Sequence, residues 1–433
     1  MRVKKALQQS DVLFITWSII ASFGAYFCMY AFRKPFNSGL YEGLDVAGIG
    51  YKTILILSQV AGYTLSKFTG IKIISELKST SRIRLIISLI LLAEAALLMF
   101  GLVPYPYNFV FLFINGLPLG MVYGVVFSFL EGRRFTEMIS MGLNISIIIA
   151  SGVLKTTYLE LHALFPAISE FWMPFSMGLL FLPFFFLFVW MLDMLPVPTE
   201  EDRRLRTERF PMTAQDKKNV LAEFWLPVFC LLICYIMLIV VRDFRDNFAI
   251  EIWNEIDAGW KSSVLSQTEM ITGFVVLVVI GSLAFIKNNL IGFRMTNLVI
   301  FSGILMAGVS TFLFENHLIS GFFWMLTIGT GMFLAFTVIQ SALFDRLIAL
   351  FRLKANAGFF VYICESFGYL SSVGLLLYKE FFVKQLSWSK VLMQFIYFQV
   401  AVSLLLLLCA NLYFESYRRN ALGTAKKRSM PVL

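Results

Sequence analysis

Apolar residues in this chain run in long unbroken blocks instead of alternating with polar ones, and each block is long enough to be a buried helix. A hydrocarbon core about 30 Å thick takes about 20 apolar residues per helix. On that length rule the pattern predicts twelve spans. Six lie at approximately 12–34, 51–71, 83–103, 108–130, 138–159 and 171–194, and six at approximately 224–247, 264–286, 293–314, 318–345, 355–378 and 390–414. The long polar stretch between them, Pro196 to Glu223, divides the chain into 1–195, a six-helix bundle; 196–223, a basic linker; 224–416, a second six-helix bundle; and 417–433, a basic tail. The expected fold class is an all-α polytopic membrane protein of two six-helix, pseudo-symmetric bundles.

Composition agrees. Of 433 residues 59% are hydrophobic and only 15% charged, against about 45–50% and about 25% in soluble chains. The formal charge of +9 therefore reads as a topology signal, not as a nucleic-acid footprint. With the N-terminus inside, the cytoplasmic segments collect Arg2, Lys4, Lys5, Lys72, Lys78, Arg82, Arg84, Arg133 and Arg134. They also hold the linker residues Arg203, Arg204, Arg206, Arg209, Lys217 and Lys218, then Lys287, Arg294, Arg346, Arg352, Lys354 and the tail group Arg418, Arg419, Lys426, Lys427 and Arg428. External connections carry few: Lys34, Lys52, Lys261, Lys379, Lys384 and Lys390. That asymmetry places both termini in the cytoplasm. The first run is too long for a signal-peptide core and lacks a small-residue cleavage site, so it is expected to be retained. The expected setting is a bacterial inner membrane, the expected state a monomer. The cysteines Cys28, Cys230, Cys234, Cys364 and Cys409 fall inside apolar runs and read as buried thiols.

Gly116, Gly120 and Gly124 recur every fourth residue in the fourth span, and Gly329 and Gly331 mark the tenth. Such spacing lets helix backbones approach closely in lipid. Charges at membrane depth carry more functional information, because a central Lys, Arg or Asp costs about 2.5–3.5 kcal/mol on insertion scales and needs a cavity or a partner. They are Arg33, Lys67, Glu94 and Lys155 in the first half, and Arg242, Asp243, Arg245, Asp246, Glu269 and Glu365 in the second.

Arg33 either snorkels to the outer surface or faces a cavity, and Arg242 repeats its placement in the seventh span. Two guanidiniums meeting across a pseudo-twofold axis make a planar, bidentate clamp for phosphate or carboxylate, with Lys67 as a third cation. The alternative for Arg242 is an outer-end ion pair with Asp243 or Asp246, and Arg245 reads as their structural partner. Glu94, Glu269 and Glu365 are candidates for proton carriers, substrate ligands or ion-pair partners, and Lys155 reads as an interfacial lysine. Tyr26, Tyr30, Tyr63, Tyr123, Tyr362 and Tyr369 are candidate pore aromatics, Tyr30 and Tyr63 foremost. No paired-histidine metal motif, phosphate-cradling glycine loop or nucleophile elbow is present, so neither an enzyme nor a cofactor is expected. His162 and His317 fall in external connections.

Six plus six spans with a basic central loop is the plan of the major facilitator superfamily. Within it, Tyr26-Phe27-Cys28-Met29-Tyr30-Ala31-Phe32-Arg33-Lys34-Pro35-Phe36 resembles the tyrosine-rich, Arg-Lys-x-Phe end of helix 1 in organophosphate:phosphate antiporters. Gly62-Tyr63-Thr64-Leu65-Ser66-Lys67-Phe68 is similar to their Ser-Lys-Phe segment; Arg242, Glu269 and Phe367-Gly368-Tyr369-Leu370 also resemble family positions. The resemblance implies a rocker-switch antiporter in which Arg33 and Arg242 grip a phosphate group, with Lys67, Tyr30, Tyr63 and Glu269 around it. The chain departs from that family at Asn144, where members often carry a histidine. The loop from Gly70 to Arg84 lacks the Gly-x-x-x-Asp-Arg motif, and the seventh span has an extra arginine and two aspartates.

Two rival readings stand beside a transporter of a small organic anion exchanged for phosphate. One is a proton-coupled symporter of a non-phosphate solute using the embedded glutamates. The other is a non-transporting sensor or scaffold on a transporter fold.

Overall fold

The computed structural model describes residues 2–75, 77, 79–130, 136–197, 214–351, 357–382 and 387–428. Helices α1 (Arg2–Gln9) and α2 (Asp11–Ala31) are separated by Ser10, whose hydroxyl caps α2 by accepting the Leu13 N–H. A two-residue hairpin, β1 (Asp45–Val46) and β2 (Ile49–Gly50), leads into α3 (Tyr51–Ser75). Its turn has positive φ at both Ala47 (55°) and Gly48 (75°), the backbone sense that matches the twist of paired strands. Then come α4 (Arg82–Leu102), α5 (Phe109–Leu130), α6 (Thr136–Leu164) and α7 (Met173–Asp193).

The second series begins with α8 (Ala214–Asn247), a short α9 (Ala249–Ile256) and α10 (Ser263–Ala284). It continues through α11 (Asn289–Glu315), α12 (Gly321–Val338) and α13 (Phe344–Phe351), then α14 (Ala357–Phe382) and α15 (Trp388–Arg428). A π-turn, Ile339–Leu343, joins α12 to α13. Ten helices among the described residues are long and apolar enough to cross a membrane, and α3 and α14 occupy the two remaining predicted spans. This is an all-α polytopic membrane protein.

Two boundaries differ from the sequence pattern. α8 starts ten residues before the predicted span, and Phe224 (φ −116°, ψ 22°) breaks it where the polar lead-in meets the apolar run. α15 continues through the basic tail to Arg428, because Arg418 and Arg419 pair with Glu415 one turn earlier. The basic residues Lys78, Arg133, Arg134, Arg203, Arg204, Arg206, Arg209, Arg352, Lys354 and Lys384 lie outside the described residues. Of the cysteines, Cys28, Cys230, Cys234 and Cys364 are buried as expected, whereas Cys409 is exposed.

The chain forms two compact units that do not follow chain order alone. Unit one comprises residues 1–207, 246–273 and 376–384; unit two comprises 208–245, 274–375 and 385–433. In unit one α5 packs along α3 and α4, and α2 along α6 and α7; in unit two α11 lies between α12 and α15. Outer faces carry exposed Leu91, Leu92, Phe184 and Leu187 in unit one and Leu305, Phe312, Leu405 and Leu412 in unit two. Lipid is the solvent that accepts such surfaces.

Glycine sets the closest approaches. A Cβ on Gly116 would lie 2.4 Å from the Gln59 carbonyl oxygen of α3, and one on Gly331 would lie 2.3 Å from the Gly303 oxygen of α11. Gly331→Val is therefore expected to force α11 and α12 apart at a cost of about 1–3 kcal/mol or more. Size-exclusion chromatography of the detergent-purified variant should show loss of the monodisperse peak.

Candidate functional site

Unit one gathers a cation–aromatic cluster at the end of α2. The helix is capped at Phe32, three residues before a proline-started 3₁₀ turn (Pro35–Ser38), so Arg33 sits in the link between them with its N–H donating to the Tyr30 carbonyl (3.0 Å). Its guanidinium lies over the Tyr63 ring, 3.9 Å from the centroid, with Tyr30 at 5.7 Å. Lys67, one turn along α3 from Tyr63, places its Nζ 5.3 Å from the same ring.

Edge-to-face aromatics continue the cluster. Tyr30 meets Tyr26 edge-on at 5.5 Å, and Tyr26 meets Tyr123 of α5 at 5.5 Å. The Tyr123 hydroxyl donates to Asn144 Oδ1 of α6 (3.3 Å). Four helices thus contribute to one face whose chemistry is phenol, amide and two fixed cations.

Two buried amides that charge counting overlooked hold this face in place. Gln59 Nε2 donates to the Arg33 carbonyl (2.8 Å) and to Asn115 Oδ1 (2.7 Å). Asn115 Nδ2 donates in turn to the carbonyls of Phe32 (3.1 Å) and Ala93 (3.0 Å). The α2 terminus, α3, α4 and α5 are joined through these groups, with Asn115 fully buried. Asn115→Leu strands the Gln59 amide and two carbonyls and is expected to cost about 1–3 kcal/mol. A lower midpoint in thermal unfolding of the purified variant checks this.

A second polar centre in unit one surrounds Asp246. Its Oδ2 accepts from Lys34 Nζ (2.5 Å) and its Oδ1 from Lys155 Nζ (2.5 Å) and the Ser151 hydroxyl. Lys34 also reaches Asn247 Oδ1 (3.2 Å), which accepts from Asn37 Nδ2 (2.8 Å). Nearby, Lys52 bridges to Glu251. Lys155 is 3% exposed, so it is not the interfacial lysine its position indicates. A buried carboxylate supplies the alternative to lipid headgroups. Glu269 of α10 is also buried and packs on Gly152 of α6, where a Cβ would lie 2.5 Å from its Cγ.

In unit two, Arg242 lies over the Phe336 ring at 4.4 Å and bridges to Asp243, Nη2 to Oδ1, at 2.9 Å. The ion-pair alternative with Asp243 is therefore realised, and the guanidinium is largely enclosed at 13% side-chain exposure. Arg245 is buried and donates to the Met325 carbonyl (3.2 Å), beside Gly329, where a Cβ would lie 2.7 Å from its Nη2. The side chains of Glu365, Tyr362 and Tyr369 lie outside the described residues. Among those described, no cluster of three metal-ligating side chains occurs.

Comparisons with known proteins agree in fold. A sequence model of a family of unknown function, DUF5690, matches residues 35–417. No curated protein matches the chain in sequence. Among solved structures, the nucleoside transporter NupG is similar at a TM-score of 0.60 and 14% identity, covering 90% of this chain and 98% of its own. A POT family transporter in complex with 5-aminolevulinic acid gives 0.57 and 13%, covering 92% and 96%. The human organic anion transporter MFSD10 gives 0.54 and 13%, covering 92% and 98%. These are transporters of the major facilitator type, and the fold of this chain is theirs.

Proposed function

The chain belongs to the DUF5690 family, a family of unknown function, and we propose that it is a secondary transporter of a small organic anion, a phosphate ester exchanged for phosphate, working by alternating access. The observation that carries this reading is the Arg33–Tyr63–Lys67 cluster: two fixed cations share one aromatic ring on a face of tyrosines and an asparagine. A phosphate offers oxygens to both the guanidinium fork and the ammonium. Solved transporters of this fold include one described as an organic anion transporter.

In this reading Arg33 and Lys67, with Tyr30 and Tyr63, bind the anion in the first half. Arg242 and Glu269 are the further solute-binding residues of this reading. The halves 1–195 and 224–416 are the moving bodies, both termini are cytoplasmic, and the protein acts as a monomer in a bacterial inner membrane. It is not an enzyme.

Thermal stabilisation of the purified protein by phosphate, glycerol phosphates, sugar phosphates and unphosphorylated carboxylates tests the solute class. A ligand at 100 times its dissociation constant contributes about 2.7 kcal/mol, enough to raise the midpoint visibly. Stabilisation by phosphate or its esters supports the reading. Stabilisation by carboxylates or cations alone overturns the phosphate assignment.

A further inference from the structure

Glu94 occupies a place that neither the cation–aromatic face nor the Asp246 cluster uses. It lies 12 residues into α4, about 18 Å along the helix axis and close to mid-span. The residue is 6% exposed, and neither carboxyl oxygen, both buried, has a hydrogen-bond partner. The carboxyl points into α7 at Gly178, where a Cβ would come within 1.9 Å of Oε2 and 2.6 Å of Cδ. Only glycine leaves room there, so the seam is shaped around this carboxyl.

The helices packed against it supply no cation. α4 itself carries only Arg82 and Arg84, near its start. α5 has no charged residue, and its one titratable group, Tyr123, faces Tyr26 and Asn144. α7 carries only Asp193, its last residue, 15 positions beyond Gly178. An ionised carboxylate held here without a partner is far costlier to desolvate than a neutral acid that merely lacks a hydrogen bond. The neutral form wins.

We propose that Glu94 is a proton-binding site of the transport cycle: the α4–α7 seam holds it as the carboxylic acid in this conformation, and loosening of that seam admits water and releases the proton. The step is one O–H bond broken, with the proton passing to water and the carboxylate left hydrated. It holds whatever solute the Arg33 face takes, and so stands apart from the phosphate reading.

The test needs no solute. The full chain in liposomes is compared with Glu94→Gln, which imitates the neutral acid, and Glu94→Asp, which keeps the titration, by infrared spectroscopy and hydrogen–deuterium exchange between about pH 5 and about pH 9. At neutral pH the wild type should show a carboxylic-acid carbonyl band that Glu94→Gln lacks. As pH rises, α4 and α7 amides of the wild type and of Glu94→Asp should lose protection, after correction for intrinsic exchange, by about tenfold or more. Glu94→Gln should stay protected throughout. Absence of the band overturns the proposal, because Glu94 is then ionised in the seam. A band with no pH-dependent change in α4 and α7, or with the same change in Glu94→Gln, overturns it equally and leaves a merely structural acid.

Discussion

Asp246→Ala is expected to destabilise the protein by about 3–5 kcal/mol, the largest single effect among its ion pairs. The mutation removes the one carboxylate that both Lys34 and Lys155 contact at 2.5 Å, and leaves two ammonium groups whose side chains are 12% and 4% exposed. Breaking a buried pair costs more than the pair contributes, because the abandoned charge stays desolvated. Here two charges lose the same carboxylate at once. Asp246→Asn keeps hydrogen-bond acceptance but not the charge and should fall between the wild type and Asp246→Ala. Adding Lys155→Met to Asp246→Ala removes one of the stranded cations and should restore part of the loss, a non-additivity diagnostic of direct coupling. Thermal unfolding of the wild type and the three purified variants measures this. Equal midpoints for wild type and Asp246→Ala would show that the cluster is hydrated and weak.

The second large effect concerns anion recognition. Arg33→Ala is expected to abolish stabilisation by phosphate or phosphate esters, a loss of about 2.7 kcal/mol at ligand concentrations 100 times the wild-type dissociation constant. Because Tyr30 and Tyr63 remain and the carbonyl of residue 33 still accepts from Gln59, the fold itself should survive. Arg33→Lys separates charge from geometry. An ammonium keeps the positive charge but loses the planar fork and its stacking on Tyr63, so binding should weaken by about tenfold or more instead of vanishing. Lys67→Ala should have a smaller effect, since a point charge adds attraction without fixing orientation.

Much of the fold is legible in the sequence because the bilayer imposes it. The demand for about 20 apolar residues per crossing marks the helices, and all twelve predicted spans are occupied by helix. Small residues likewise foretell packing: Gly116 and Gly331 do meet neighbouring backbones. The ends are less legible. Hydropathy stops where the membrane does, while helix hydrogen bonding continues, so α8 begins at Ala214 and α15 runs to Arg428.

The candidate site is legible only in part, and the reason is physical. A charge at membrane depth announces that it needs a partner, but not which one. Asp246 and Lys34 are 212 residues apart in sequence, and no periodicity connects them. Lys34 and Lys52, assigned to external connections by topology, and Lys155, assigned to the interface, are each claimed by a carboxylate from the 246–273 segment. Gln59 and Asn115 escape notice because they are uncharged. The available signal was an amide in the middle of an apolar run, which must find hydrogen bonds inside the protein. Arg33 itself lies past the end of its helix, two residues before the proline that starts a 3₁₀ turn, so straight-helix rise does not describe it.

The central claim is transport of an organic phosphate through the Arg33 face, and uptake into liposomes tests it most directly. Vesicles containing the full chain and loaded with phosphate are placed in labelled glycerol phosphates, sugar phosphates or phosphate, with empty vesicles and Arg33→Ala as controls. The account predicts that at least one of these is taken up in exchange for internal phosphate, that removing the internal phosphate stops uptake, and that Arg33→Ala reduces it to the level of empty vesicles. Uptake of none of them by protein shown to be folded, or undiminished uptake by Arg33→Ala, would contradict the account.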